Sequence, residues 1–110
     1  LDIIRNLPVE PGYAELIRTF KQAKSLIAIA KVLPEEISPP PSLPLQQIGF
    51  SDVISDADGY MRRNLLGTPT FEGYRFSFAL QLAKTYLATK NITLENGIRD
   101  RQAMRFGNVE

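Results

Sequence analysis

Apolar residues recur every three or four positions in the first third of the chain, which is the spacing of one helix face. The apolar positions of this stripe are Tyr13, Leu16, Ile17, Phe20, Ala23, Ile27 and Ala30. Pro34 would end such a helix, because proline cannot continue the hydrogen-bonding pattern. The pattern therefore predicts a first helix over residues 12–33, preceded by a short arm over residues 1–9.

A second helix is predicted over residues 51–66. Ser51 is a favourable N-cap, and Asp52 would lie in the first turn, where the helix dipole favours negative charge. Gly59 would weaken the middle of this helix by about 1 kcal/mol relative to alanine. Gly67 follows as a stop signal.

A third helix is predicted over residues 70–90, where apolar residues form two stripes rather than one. Its polar residues are confined to a narrow strip, Ser77, Gln81 and Lys84. A helix with so little polar surface is either central in its own domain or covered by a second chain.

Two segments are less regular. Residues 34–49 hold five of the eight prolines, which predicts an extended polyproline linker. The tail, residues 91–110, fits either a further helix or a hairpin around Asn96 and Gly97. The helix is favoured, because two strands of about three residues are marginal alone.

Together these elements predict an all-α fold. The expected architecture is a single domain over residues 1–110, a small bundle of three to four helices. An extended Pro-rich connection would join the first helix to the second.

The composition narrows the possible chemistry. The chain has neither cysteine nor histidine, which excludes disulfides, zinc ribbons, thiol nucleophiles and imidazole-based triads. No nucleotide-binding or nucleophile-elbow motif is present. We therefore expect no enzyme activity, no cofactor, no metal site and no catalytic residue.

Charge is distributed unevenly although the net charge is only +1. Residues 34–60 carry five acidic and no basic side chains, whereas both flanks are basic. If the tail folds back, five arginines would form a basic patch suited to phosphate: Arg62, Arg63, Arg99, Arg101 and Arg105. A nucleic-acid-binding, nucleocapsid-like domain is therefore one alternative, and salt bridging to the acidic middle is the other interpretation.

The third helix suggests the leading functional hypothesis. Its exposed apolar side would offer a protein interface made by Phe71, Tyr74, Phe76, Leu80 and Leu87. This predicts a non-enzymatic interaction or assembly module, such as a self-associating structural subunit of a larger complex or of a viral particle. A small enzyme or an accessory subunit of one is the remaining alternative.

The apolar runs are all short. None approaches the ~20 residues that a membrane-spanning helix needs, and no signal-peptide pattern is visible. The sequence thus predicts no membrane span and leaves the cellular location open.

Overall fold

The computed structural model describes residues 1–110 and contains two helices and six short strands. In chain order these are α1 (Tyr13–Gln22), β1 (Ala28–Ala30), β2 (Ile48–Phe50), β3 (Gly67–Thr70), β4 (Gly73–Phe76), α2 (Phe78–Ala88), β5 (Leu94–Asn96) and β6 (Met104–Phe106). A 3₁₀ turn, Leu45–Gln47, leads into β2. The predicted all-α helical bundle is therefore wrong, because the fold is mixed α/β.

The strands form three two-stranded pairs. β1 and β2 are parallel, with Ala28 opposite Ile48 and Ala30 opposite Phe50. β3–β4 and β5–β6 are antiparallel hairpins. A single parallel bridge between Phe50 and Ser77 places β2 between β1 and the residue that follows β4. This bridge connects the parallel pair to the start of α2.

The core is small and lies around the parallel pair. Its buried apolar residues are Phe20, Ile27, Ala28, Ile29, Ala30, Ile48, Phe50 and Leu80. α2 packs on β2 so closely that a Cβ on Gly49 would lie 2.5 Å from the Cα of Phe78. A glycine at this position lets the helix backbone approach the strand directly.

The predicted first helix is too long. α1 ends at Gln22, and β1 occupies the second half of the predicted range. All three residues of β1 are buried, and a short continuous apolar run is typical of a parallel strand covered on both faces. Ile27 and Ala30 match helical spacing only because every position nearby is apolar.

The predicted second helix is absent, and residues 51–66 form loops and a turn. Asp52 does not lie in the first turn of a helix. Its two carboxylate oxygens accept hydrogen bonds from the backbone N–H groups of Val32 (2.8 Å) and Leu33 (3.1 Å), just beyond β1. Gly59 has a φ of +83° and lies in a tight turn, a conformation that favours glycine and opposes a helix.

The predicted third helix is a hairpin followed by a shorter helix. Residues 70–76 belong to the β3–β4 hairpin, and Gly73, the first residue after its turn, has a φ of +116°. The helix begins at Phe78, because the side chain of Ser77 caps it by accepting a hydrogen bond from the N–H of Leu80. The correct cap is thus seven residues after the predicted start.

The tail forms a hairpin and not the favoured helix, but Asn96 lies in β5 and residues 97–103 form the loop, so the predicted turn at Asn96 and Gly97 is wrong. Its strands have only three residues each. Glu110 stabilises the loop between them through hydrogen bonds that a rule based on strand length does not consider. The Glu110 carboxylate accepts hydrogen bonds from the N–H groups of Asp100 (2.7 Å), Arg99 (3.0 Å) and Ile98 (3.0 Å). These donors, Asp100 foremost, hold the pKa of Glu110 below its usual value.

The segment predicted as a linker, residues 34–49, contributes directly to the fold. It contains the first two residues of β2, and Ile37 forms an antiparallel bridge with Lys31. Pro40 is fully buried. The side-chain N–H₂ group of Gln47 donates to the carbonyls of Ala23 and Leu26, both at 2.7 Å, and so ties this segment to the end of α1.

Candidate functional site

The side chains of Phe76 and Lys84 meet where β4 faces α2. Tyr74 and Phe76 lie two residues apart on β4, so their rings share one face; they contact edge to face with centroids 5.5 Å apart. The Nζ atom of Lys84 lies 4.2 Å from the centre of the Phe76 ring, a cation–π contact. These contacts place one positive charge on an aromatic surface.

Gln81 fixes the position of α2. Its side chain is 4% exposed, and its N–H₂ group donates to the carbonyls of Leu45 (3.1 Å) and Ile48 (2.8 Å). Lys84 is three residues further along the same face of the helix. The two hydrogen bonds therefore determine where the Lys84 side chain can reach.

Two hollows share the side chains of Phe76 and Lys84 in their walls. The larger has a volume of about 400 Å³ and is lined by Phe76, Lys84, Ala88, Ile92, Thr93 and Leu94. The smaller, about 190 Å³, is bounded by Tyr74, Arg75 and Gln46 together with Phe76 and Lys84. We refer to the two together as the Lys84 cleft. Its larger half falls within the range of about 300–1,000 Å³ typical of small-molecule sites.

The charge of Lys84 is not compensated within the chain. No carboxylate lies within 4.0 Å of its Nζ atom, and all five ion pairs of the chain use arginine. Partial burial lowers the pKa of Lys84 from its ordinary value, because a desolvated ammonium is less stable than a hydrated one. A perturbed ionisable group in a cleft is a recurring mark of functional sites.

Arg75 is the second cation at the cleft, but it already has a partner. Its guanidinium forms an ion pair with Glu72, three residues earlier on the same hairpin. Arg75 is largely buried, with a side chain 16% exposed, whereas Glu72 is mostly exposed. Lys84 therefore supplies the unbalanced positive charge of the cleft.

The residues predicted as an interface do not lie on one helix face. Phe71 is fully exposed at the turn between β3 and β4, and Tyr74 is 55% exposed on β4. Phe76 lines the Lys84 cleft. Leu80 is buried in the core and Leu87 is half-buried on α2. Of the five, Phe71 and Tyr74 remain available to a partner molecule.

The five arginines of the predicted phosphate-binding patch mostly have acidic neighbours. Arg62 pairs with Asp56 (3.1 Å) and Asp58 (2.8 Å), and Arg63 pairs with Asp56 (2.7 Å). Arg105 pairs with Glu95 across the β5–β6 hairpin. These carboxylates reduce the positive potential that a nucleic acid would encounter. The remaining two, Arg99 and Arg101, are exposed in the loop between β5 and β6.

The chain shows neither a metal-binding cluster nor a membrane-spanning helix. No group of three or more acidic side chains comes together in a way that would hold a metal ion. Neither helix combines the length and the apolar character needed to cross a bilayer.

The polar residues of the predicted third helix are the sequence feature that marks the Lys84 cleft. On a solvent-exposed helix they would face water. Ser77, Gln81 and Lys84 form the narrow polar strip of the predicted third helix. Ser77 and Gln81 are both 4% exposed, and Lys84 is half-buried. The strip therefore faces inward, where it caps the helix, bonds β2 and lines the cleft.

Comparison with known proteins gives one family match. The model of the family described as the CHASE2 domain matches residues 1–109, nearly the entire chain. No curated protein and no solved structure matches the chain significantly. All residues of the Lys84 cleft lie within the matched range.

Proposed function

The chain belongs to the CHASE2 domain family, a family of extracellular sensory domains, and on this premise we propose that it recognises a small molecule in the Lys84 cleft. The observation that carries the proposal is the uncompensated Lys84 charge beside a hollow of about 400 Å³. A few precisely placed polar groups in an otherwise apolar hollow are typical of ligand sites. The sequence-based suggestion of a viral structural subunit is wrong, since the family is sensory.

The proposed role is recognition without catalysis. The chain contains no histidine or cysteine to act as base or nucleophile. Asp56 and Asp58 are held by arginine, and the Glu110 carboxylate is occupied by backbone N–H groups. The Lys84 cleft itself contains no acidic side chain among its lining residues. This arrangement favours binding over general acid–base chemistry.

Filling the larger hollow should abolish recognition. Ala88 lines it and is exposed at the end of α2, so the Ala88→Trp variant should fold while its indole occupies the space. In a thermal-shift screen of small molecules, a ligand present at 100 times its Kd stabilises the native state by about 2.7 kcal/mol. We expect stabilising compounds for the parent protein that lose their effect on Ala88→Trp.

The matched control for the Ala88→Trp variant is Ala14→Trp, at another exposed alanine, on α1. It should respond to the same compounds as the parent protein. If Ala88→Trp retained the full thermal shift, the ligand would bind elsewhere and the proposed site would be wrong.

Self-association is a second candidate function, and the size of the exposed surface favours it. The accessible surface is 8122 Å², whereas a folded monomer of this mass exposes about 6,100 Å². The radius of gyration, 15.7 Å, likewise exceeds the roughly 13 Å of a compact domain of this length. The surplus of about 2,000 Å² is larger than the roughly 800 Å² that each partner contributes to a standard interface.

The side chain of Phe71 is the clearest probe of self-association, because it is fully exposed at the hairpin turn. Sedimentation velocity on the parent protein should show a dimer or larger species, and Phe71→Asp should shift it toward monomer with an unchanged circular dichroism spectrum. Val9→Asp, which introduces the same charge at another exposed apolar residue, before α1, is the control. A parent protein that is monomeric at high micromolar concentration would refute self-association.

A further inference from the structure

The larger hollow of the Lys84 cleft has a distinct chemistry. Its walls are apolar, formed by Phe76, Ala88, Ile92 and Leu94, and Thr93 adds one hydroxyl group. Lys84 is the only ionisable residue that lines it. A molecule in the hollow therefore meets apolar side chains, one hydroxyl group and a single positive charge, and one side of it stays open to solvent.

The single charge restricts the ligand class. An ammonium at this position has lost part of its hydration and has gained only the Phe76 ring in exchange. One carboxylate would balance it and make a charge-assisted hydrogen bond. A phosphate monoester carries about −1.5 to −2 and would bring excess negative charge into a partly dry hollow. A cation would meet Lys84 with like charge.

We propose that the Lys84 cleft binds a small monocarboxylate with an aromatic or branched aliphatic body. Its carboxylate would accept a hydrogen bond from the Nζ of Lys84, and its body would lie against Phe76, Ile92 and Leu94. This inference rests on the proposed recognition function, because it names the ligand class of that same site. Arg75 at the smaller hollow is neutralised by Glu72, so the cleft as a whole accepts one negative charge.

The test compares phenylacetate with phenylacetamide, which has the same shape and no charge, and with phenyl phosphate, which has the higher charge. Isothermal titration on the parent protein should give binding of phenylacetate that is about tenfold or more tighter than that of either analogue, the effect of one charge-assisted hydrogen bond. This comparison needs no variant and so does not depend on any variant folding.

Variants then identify the residue that recognises the charge. Lys84→Met keeps the length of the side chain and removes the charge, and it should weaken phenylacetate about tenfold while leaving phenylacetamide unchanged. Lys84→Arg should restore most of the preference for the anion. Lys90→Met removes an exposed lysine just beyond α2 and should behave like the parent protein.

The outcomes separate the ligand class from the recognition function. Equal affinity for phenylacetate and phenylacetamide, with loss of both on Ala88→Trp, would overturn the carboxylate assignment and leave recognition in the cleft intact. A stronger response to phenyl phosphate would also overturn it. No binding of any of the three compounds at concentrations up to about 10 mM, a limit of roughly 3 kcal/mol of binding free energy, would overturn this inference. The Ala88→Trp screen would then decide on the recognition function separately.

Discussion

Gly49→Ala should strongly destabilise the packing of α2 on β2. The added Cβ would lie 2.5 Å from the Cα of Phe78, 2.7 Å from its backbone nitrogen and 3.0 Å from the carbonyl carbon of Ser77. All three atoms belong to the backbone at the start of α2, so no side-chain rotation can relieve the contact. Overpacking of this kind costs about 1–3 kcal/mol, and urea unfolding should show a loss near the upper end of that range.

Gly67→Ala is the matched control for Gly49→Ala. Its added Cβ would also meet an atom at 2.5 Å, but that atom is in the ring of Tyr74, and this side chain is 55% exposed and free to turn away. We expect the stability of Gly67→Ala to fall by well under half as much as that of Gly49→Ala. Equal losses would show that α2 does not pack rigidly on β2.

Gln81→Leu should also destabilise the chain, in this case through lost hydrogen bonds. The substitution keeps the volume of the side chain but removes the donors to the carbonyls of Leu45 and Ile48 in a largely buried place. The Leu45 carbonyl still accepts from the N–H of Ile48, so the cost comes from the buried carbonyl of Ile48, and the loss of a donor there costs about 1–3 kcal/mol. Chemical denaturation should therefore show a clear loss of stability, with amide exchange accelerated first in residues 45–50.

The side chain of Gln102 provides the control for Gln81→Leu, because it is exposed in the loop between β5 and β6. Gln102→Leu should change the free energy of unfolding by no more than about 0.5 kcal/mol. A Gln81→Leu variant as stable as the parent would mean that the position of α2, and with it the reach of Lys84, does not depend on these hydrogen bonds.

The start of α1 and the position of α2 along the chain can be predicted from the sequence, and a hairpin in the tail is one of its two interpretations, whereas β1–β4 cannot be predicted. The apolar stripe beginning at Tyr13 was correctly assigned to a helix, and residues 78–88 lie inside the predicted third helix. Ile27–Ala30 was misassigned because a continuous apolar run fits a buried strand as well as a helix. Residues 28–30 form a strand because they pair with residues 48–50, about 20 positions away in the sequence.

Residues whose hydrogen-bond partners lie far away in the sequence cannot be identified from a local pattern either. Asp52 resembles a residue of a first helical turn, but its carboxylate binds N–H groups about 20 residues earlier. Glu110 supports the β5–β6 hairpin by the same kind of contact. The polar strip that includes Lys84 was visible, and its spacing was read correctly. The strip was expected to face solvent, but it faces inward because of the way α2 packs on β2.

Amide chemical-shift mapping during a titration with phenylacetate tests most directly whether this sensory-family chain recognises ligands at the Lys84 cleft. The account predicts shift changes that saturate with one affinity and are concentrated at Phe76, Lys84, Ala88, Ile92 and Leu94. A separate hollow outside the Lys84 cleft, between Leu33 and Phe71, provides an internal comparison because it is lined by Glu36 and contains no basic residue. Changes concentrated there, or spread evenly over the surface, would contradict the account.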